Sequence, residues 1–171
     1  MNATNADVNT KMELEEFLLY EAELLDDHLY NQWLDLFTED CKYEMPMNLT
    51  KIKGDGKELS DRYKLLDETY ETLKIRIERL GTDFAWAEDP PSRTRHYVTN
   101  VRVKPGDKEN EFKVRCNLLV YRNRGDYSTY DLFSADRNDI IRNVDGSWKI
   151  AYRQIVLDQR SVNSHNLSIF F

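Results

Sequence analysis

The 171-residue sequence has little of what most catalytic sites are built from. It holds two cysteines, Cys41 and Cys116, far apart and outside any CxxC pair, so no redox pair or cysteine metal knuckle is written into the chain. Its three histidines, His28, His96 and His165, share no helix turn, which removes HExxH and its relatives. A Rieske cluster needs two Cys and two His in paired spacing, and that spacing is missing. A two-histidine, one-carboxylate iron site would have to be assembled from distant positions. No serine sits in a GxSxG elbow, and Gly54 and Gly56 make no phosphate loop. Positive charge is short as well: 24 Lys and Arg stand against 31 Asp and Glu, a net charge of −7. Without a basic footprint, neither nucleic acid nor a membrane surface is an expected partner. No run approaches the ~18 apolar residues of a membrane span. The opening "MNATNADVNTK" lacks the apolar centre of a signal peptide, so a reduced cytoplasm is the expected compartment.

What remains is a globular composition with 40% hydrophobic and 12% aromatic residues, read as a single domain over 1–171. Residues 1–10 are polar and expected to fray. From 11 to 80 the pattern is mainly helical. Leu14, Phe17, Leu18, Leu24 and Leu25 recur at helical spacing. Asp26 or Asp27 is placed to cap a second helix carrying Leu29 to Phe37. "CKYEMP" reads as a short strand stopped by Pro46, and "KIKGDGK" as a loop. Tyr63, Leu66, Tyr70, Leu73, Ile77 and Leu80 predict one long helix, capped by Ser60 and Gly81. From 81 to 171 the chain is mainly strand. "HYVTNVRV", the alternation from Phe112 to Val120, "YSTYDLFSADR", "DIIRNV" and "SWKIAYRQIVLD" are separated by turn signals, including Asp145-Gly146. The expected fold is α+β: N-terminal helices packed on a curved, mostly antiparallel sheet that curls into a half-open cone.

Two stretches invite a chemical reading. In Asp26-Asp27-His28 a carboxylate adjoins a histidine, as general-base work requires, and Tyr43 is a third candidate. The plainer alternative is a helix cap with His28 exposed in the first turn. In "AWAEDPPSRTRH" the residues Trp86, Glu88, Asp89, Arg93, Arg95 and His96 flank two prolines. Pro90 and Pro91 impose extended backbone, and alternation beyond them puts Arg93 and Arg95 on one face and His96 on the other. The groups therefore do not converge on one point. A rigid ledge of arginine, acid and tryptophan suits a protein interface before an internal ion-pair network, and either before catalysis.

"FLLYEAELLDDHLYNQWLDLFTEDCKYEMP", "AWAEDPPSRTRHYVTNVRV" and the ending "SHNLSIFF" together resemble the beta (small) subunit of bacterial aromatic-ring-hydroxylating dioxygenases, over about Phe17 to Phe171. "EDPPSRTRH" and "NLSIFF" are most similar to the biphenyl, cumene and phenylpropionate branch. The resemblance implies the cystatin-like cone shared with nuclear transport factor 2 and scytalone dehydratase. It implies a larger alpha subunit carrying the Rieske 2Fe-2S cluster and the mononuclear iron, and a beta trimer inside a three-alpha, three-beta hexamer. Electrons would come from NADH through a reductase and usually a ferredoxin, for cis-dihydroxylation of an arene. This chain would then be a structural subunit with no catalytic residue, cofactor or metal of its own. Trp86, Glu88, Asp89, Arg93, Arg95, His96, Asn166, Phe170 and Phe171 are its expected contact residues. The competing expectation is a stand-alone dehydratase or isomerase of the same cone fold, using Asp26, His28 and Tyr43.

Overall fold

The computed structural model describes residues 6–49, 58–80, 91–125, 128–159 and 167–171. Among them are three helices, α1 (Val8–Asp26), α2 (Tyr30–Leu34) and α3 (Tyr70–Leu80). Six strands follow the order β1 (Phe37–Leu49), β2 (Glu58–Thr69), β3 (Arg93–Pro105), β4 (Glu111–Asn123), β5 (Tyr130–Val144) and β6 (Ser147–Leu157). They form one sheet, ordered β2-β1-β6-β5-β4-β3. All neighbours are antiparallel except β1 and β6, which run parallel. The α+β expectation therefore holds: helices cover one face of an open, mostly antiparallel sheet.

Helix α1 starts at Val8, inside the stretch expected to fray and three residues before residue 11, the expected start of the helical pattern. Asp7 caps it, accepting from the Thr10 N–H at 3.1 Å and from the Thr10 hydroxyl at 2.6 Å. Its buried stripe runs Leu14, Leu18, Glu21, Ala22, Leu25. Leu14 and Leu18 pack on Val103, Val114, Cys116 and Ile141 from β3, β4 and β5. Trp33, Phe37, Tyr43, Phe133, Ile155 and the segment Ile169–Phe171 build the larger core. Strand β4 alternates cleanly, with Val114, Cys116, Leu118 and Val120 inward and the intervening residues outward. The β3 register breaks between Thr99 and Arg102, where Asn100 takes φ 56°; this bulge bends the strand and helps curve the sheet. Asp145 and Gly146 both have positive φ, 52° and 85°, and form the predicted two-residue hairpin between β5 and β6.

The long helix expected over 60–80 is half strand. Residues 58–69 pair with β1, placing Leu66 opposite Met45 and Glu68 opposite Tyr43. The helix starts only at Tyr70, where Thr69 and Thr72 bond each other's backbone N–H groups reciprocally, so Thr69 replaces Ser60 as the cap. The apolar spacing up to Leu66 also fits a strand, and Lys64 reaching Glu44 at 2.7 Å favours pairing with β1. The second helix is also shorter than expected. Asp26 is the last residue of α1 and Asp27 its C-cap; α2 has no side-chain cap, and Phe37 already belongs to β1. Nor does Pro46 stop β1. It lacks an N–H for the ladder, and the pairing with β2 shifts around it and resumes at Asn48. The loop 51–57 and the expected cap Gly81 lie outside the described residues.

Candidate functional site

The two segments "SRTRH" and "LSIFF" meet at one end of the sheet. Strand β3 opens with the alternation foreseen beyond Pro91: Arg93 and Arg95 point out, Thr94 and His96 point in. The His96 ring lies between two acceptors, the Asp26 carboxylate at 2.6 Å from Nδ1 and the Phe170 carbonyl at 3.1 Å from Nε2. Its backbone N–H donates to the same carboxylate at 3.1 Å. Burial pushes the Asp26 carboxyl upward, but the His96 hydrogen bonds and the Arg95 charge outweigh it and hold the carboxyl below its ordinary range. The end of α1 thus anchors β3. His28 follows in the left-handed region at φ 58° and lies 2.9 Å, through Nε2, from the Ser92 carbonyl. On β4, buried Arg122 donates to the Ser92 hydroxyl at 3.0 Å and to the Ser168 hydroxyl at 3.4 Å. One guanidinium and one imidazole therefore join the two segments.

Segment 167–171 fills the inside of the cone. Phe170 stacks at 4.5 Å on the Trp33 ring, and Phe171 meets Phe133 edge-on at 5.4 Å. The Tyr43 hydroxyl accepts from the Phe171 N–H at 3.0 Å and donates to its carbonyl at 3.2 Å. Arg76 from α3 lies over the Phe170 ring at 5.1 Å and donates to the Leu167 carbonyl at 3.0 Å. Tyr43 is therefore a clasp for the segment, and burial pushes its phenol up.

Beneath the clasp lie four charged groups with almost no exposure. Glu21 from α1, Arg137 and Asp139 from β5, and Arg153 from β6 all have side chains 1% exposed or less. Arg153 grips Asp139 through two hydrogen bonds of 2.9 and 2.8 Å and Glu21 through two more, and donates to the Phe171 carbonyl at 3.1 Å. Arg137 lies 3.1 Å from Glu21, and Trp33 donates to Glu21 at 3.0 Å. Burial raises the Glu21 carboxyl, but the two guanidinium groups overcome it and bring it down to about 2. Two acids and two arginines balance in charge, as a buried set must. The sequence reading missed this group. A signal existed: the inward positions of β5 run Phe133, Ala135, Arg137, Asp139, Ile141, with an ion pair inside an apolar series.

The trio Asp26, His28 and Tyr43 does not form a site. Asp26 holds His96, His28 turns to Ser92, and Tyr43 is committed to Phe171. Around Tyr43 the chain packs its own aromatic side chains, Trp33, Phe37, Phe133, Phe170 and Phe171. Of the expected contact residues, Arg93 and Arg95 are exposed, and Arg95 reaches Asp26 at 3.4 Å. His96, Phe170 and Phe171 are buried inside this chain. Trp86, Glu88, Asp89 and Asn166 lie outside the described residues.

Among the described residues, the donor set does not fit an iron group. Cys41 and Cys116 sit in different core clusters, and burial pushes the Cys41 thiol up to about 11. Among the described residues, no three His, Cys, Asp or Glu side chains gather as metal ligands. No described helix is long and apolar enough to cross a membrane.

Comparison with known proteins matches this geometry. The family described as ring hydroxylating beta subunit matches residues 20–164. The beta subunit of biphenyl 2,3-dioxygenase from Rhodococcus jostii RHA1 is 36% identical, covering 96% of this chain and 90% of that protein. A solved naphthalene 1,2-dioxygenase chain superposes with a TM-score of 0.87 over 98% of this chain and 89% of its own, at 24% identity. A Nostoc punctiforme protein described as having a cystatin-like fold superposes at 0.58, with 21% identity over 91% of this chain and 96% of its own.

Proposed function

The chain belongs to the ring-hydroxylating beta subunit family, and from that premise we propose that it works as the structural small subunit of a Rieske-type dioxygenase acting on aromatic hydrocarbons. One observation carries the reading beyond family membership. The chain closes its own cone with Ile169–Phe171, and its inward-facing acid and base groups are engaged by protein partners. What it offers outward is a rigid, charged and aromatic surface, suited to holding another chain.

In this reading the large alpha subunit holds both the Rieske cluster and the mononuclear iron. NADH would supply two electrons through the reductase chain, and with NADH's hydrogen, one further proton and one dioxygen, both oxygen atoms would add across an arene edge to give a cis-dihydrodiol and NAD⁺. Three alpha and three beta chains form the working particle, with the beta chains as a trimer. Arg93 and Arg95, together with Trp86, Glu88, Asp89 and Asn166, are the proposed contact residues. A reduced cytoplasm suits two free, buried thiols and an NADH-fed reaction.

The test is reconstitution. Purified alone, the chain should bind no stoichiometric iron and consume no dioxygen with an arene and a reductase present. Co-expressed with its large subunit, it should copurify as a hexamer that forms the cis-dihydrodiol. Turnover by the isolated chain, or failure to bind the large subunit, overturns the reading.

A further inference from the structure

The outward face of the sheet carries a groove of about 610 Å³ where β3, β4, β5 and β6 run side by side. Arg102, Lys104, Lys113 and Arg115 line it, and Ile140 and Tyr152 lie among them. Asp139 contributes to the lining from the inner face, but its carboxylate is held by Arg153. Strand register sets Arg102 directly opposite Arg115, and Lys104 directly opposite Lys113. Both rungs pair like charges, which destabilises a sheet. Arg115 is relieved by Asp136 at 2.8 Å and Lys113 by Asp107 at 2.7 Å. Among the described residues, Arg102 and Lys104 have no acid within ion-pair distance. Two other cations on this face, Lys42 and Lys64, both close on Glu44. A chain with a net charge of −7 thus keeps two stacked rungs of positive charge on an open surface.

The same face continues toward the Arg93 end of β3 as an apolar strip. Tyr97 lies opposite Leu119, and Tyr121 opposite Leu132, with Tyr130 at 5.3 Å from Tyr121. All five side chains are exposed. An aromatic patch beside a charged one has the composition of a protein interface, where tyrosine and arginine dominate.

We propose that this groove seats carboxylates of the large subunit, and that the unmatched charge of Arg102 and Lys104 sets the register of assembly. The inference rests on the reading of the chain as a beta subunit. A small anion is the weaker occupant: Arg115 is 62% and Lys113 50% exposed, so an isolated ligand would stay wet and screened. A partner surface excludes water over the whole face and strengthens the pairs. A second copy meeting the groove across a two-fold axis would set cation against cation.

The experiment is co-expression of the large subunit with wild type, Arg102→Gln/Lys104→Gln and Arg102→Glu/Lys104→Glu, with affinity measured from 50 to 300 mM NaCl. Wild-type assembly should weaken with salt. The neutral pair should lose most of that dependence, and the reversed pair should bind about 100-fold more weakly, at least about tenfold for each cation. Melting of the isolated variants should match or exceed wild type, because repulsion is relieved. If wild type assembles and the reversed variant assembles equally well, the groove proposal falls and the subunit reading stands. If wild type does not assemble, both fall. Loss of the beta trimer with intact binding to the large subunit would assign the carboxylates to a second copy and overturn the proposal. Saturable stabilisation of the free chain by tripolyphosphate, with normal assembly of the variants, would make it a small-anion site and overturn it too.

Discussion

Glu21→Ala removes one of the two acids that share the core with Arg137 and Arg153. The variant leaves two guanidinium groups facing Asp139 alone, and takes an acceptor from Trp33. Stranding a buried charge in this way costs about 3–5 kcal/mol. Proton linkage gives a second route to the magnitude. A carboxyl with an ordinary value of 4.5 that sits at about 2 when folded contributes about 3 kcal/mol at neutral pH. The sign follows from the lowered value. This stabilisation is complete above 4.5 and is lost as pH falls through about 2. For a chain of this length the loss corresponds to a Tm drop of about 6–20 °C. Urea denaturation of both proteins at several pH values between 7 and 3 is the assay. The gap between wild type and variant should be widest at neutral pH and narrow as the solution is acidified. A gap below about 1 kcal/mol at pH 7, or one that does not narrow, would refute the account of the buried charges.

Phe171→Ala should cost about 3–5 kcal/mol in the same denaturation assay, because the ring is fully buried against Phe133; a change under about 1 kcal/mol would mean the segment is not seated as described. Gly106→Ala should destabilise the β3–β4 hairpin by about 1–3 kcal/mol, since a Cβ there would sit 2.6 Å from the Glu111 carbonyl oxygen, a backbone atom that cannot swing aside. Unchanged stability would refute the close approach. Arg93→Ala/Arg95→Ala should shift the isolated chain by less than about 1 kcal/mol, because Arg95 is 64% exposed and makes one 3.4 Å contact with Asp26. Assembly with the large subunit should weaken at the same time. A loss of 3 kcal/mol or more, on the scale of a buried pair, would refute the exposed placement.

Where a residue's partner is near in sequence, or its burial repeats every second position, the fold was legible. Strand β4 and the Asp145-Gly146 hairpin follow from alternation and turn chemistry alone. So does the inward turn of His96 beyond Pro91. Residues 60–69 were misread because their apolar spacing suits a helix as well as a strand. The partner that decides between them, β1, starts more than 20 residues upstream. The carboxylate–histidine pairing read at Asp26 and His28 does not form; Asp26 holds His96 instead, 70 positions away, and the neighbouring His28 hid that partner. Glu21, Arg137, Asp139 and Arg153 escaped for another reason. In a chain with 32% charged residues, each reads singly as solvent-facing, and it takes the cross-strand register of Asp139 with Arg153 and the packing of Glu21 from α1 to bring the four together.

The parallel pairing of β1 with β6 also fixes an order of events in time. Strand β1 ends at Leu49, yet its neighbour starts at Ser147. Synthesis at roughly 5–20 residues per second puts on the order of 10 s between their emergence from the ribosome. Throughout that interval Trp33, Phe37 and Tyr43 are without Arg153, Phe170 and Phe171, the groups that finally enclose them. Long-range pairings of this kind fold slowly and leave apolar surface open to stray association. The nascent chain should therefore be most vulnerable to aggregation just before residues 147–171 are translated, and a chaperone or a waiting partner would do most good in that window.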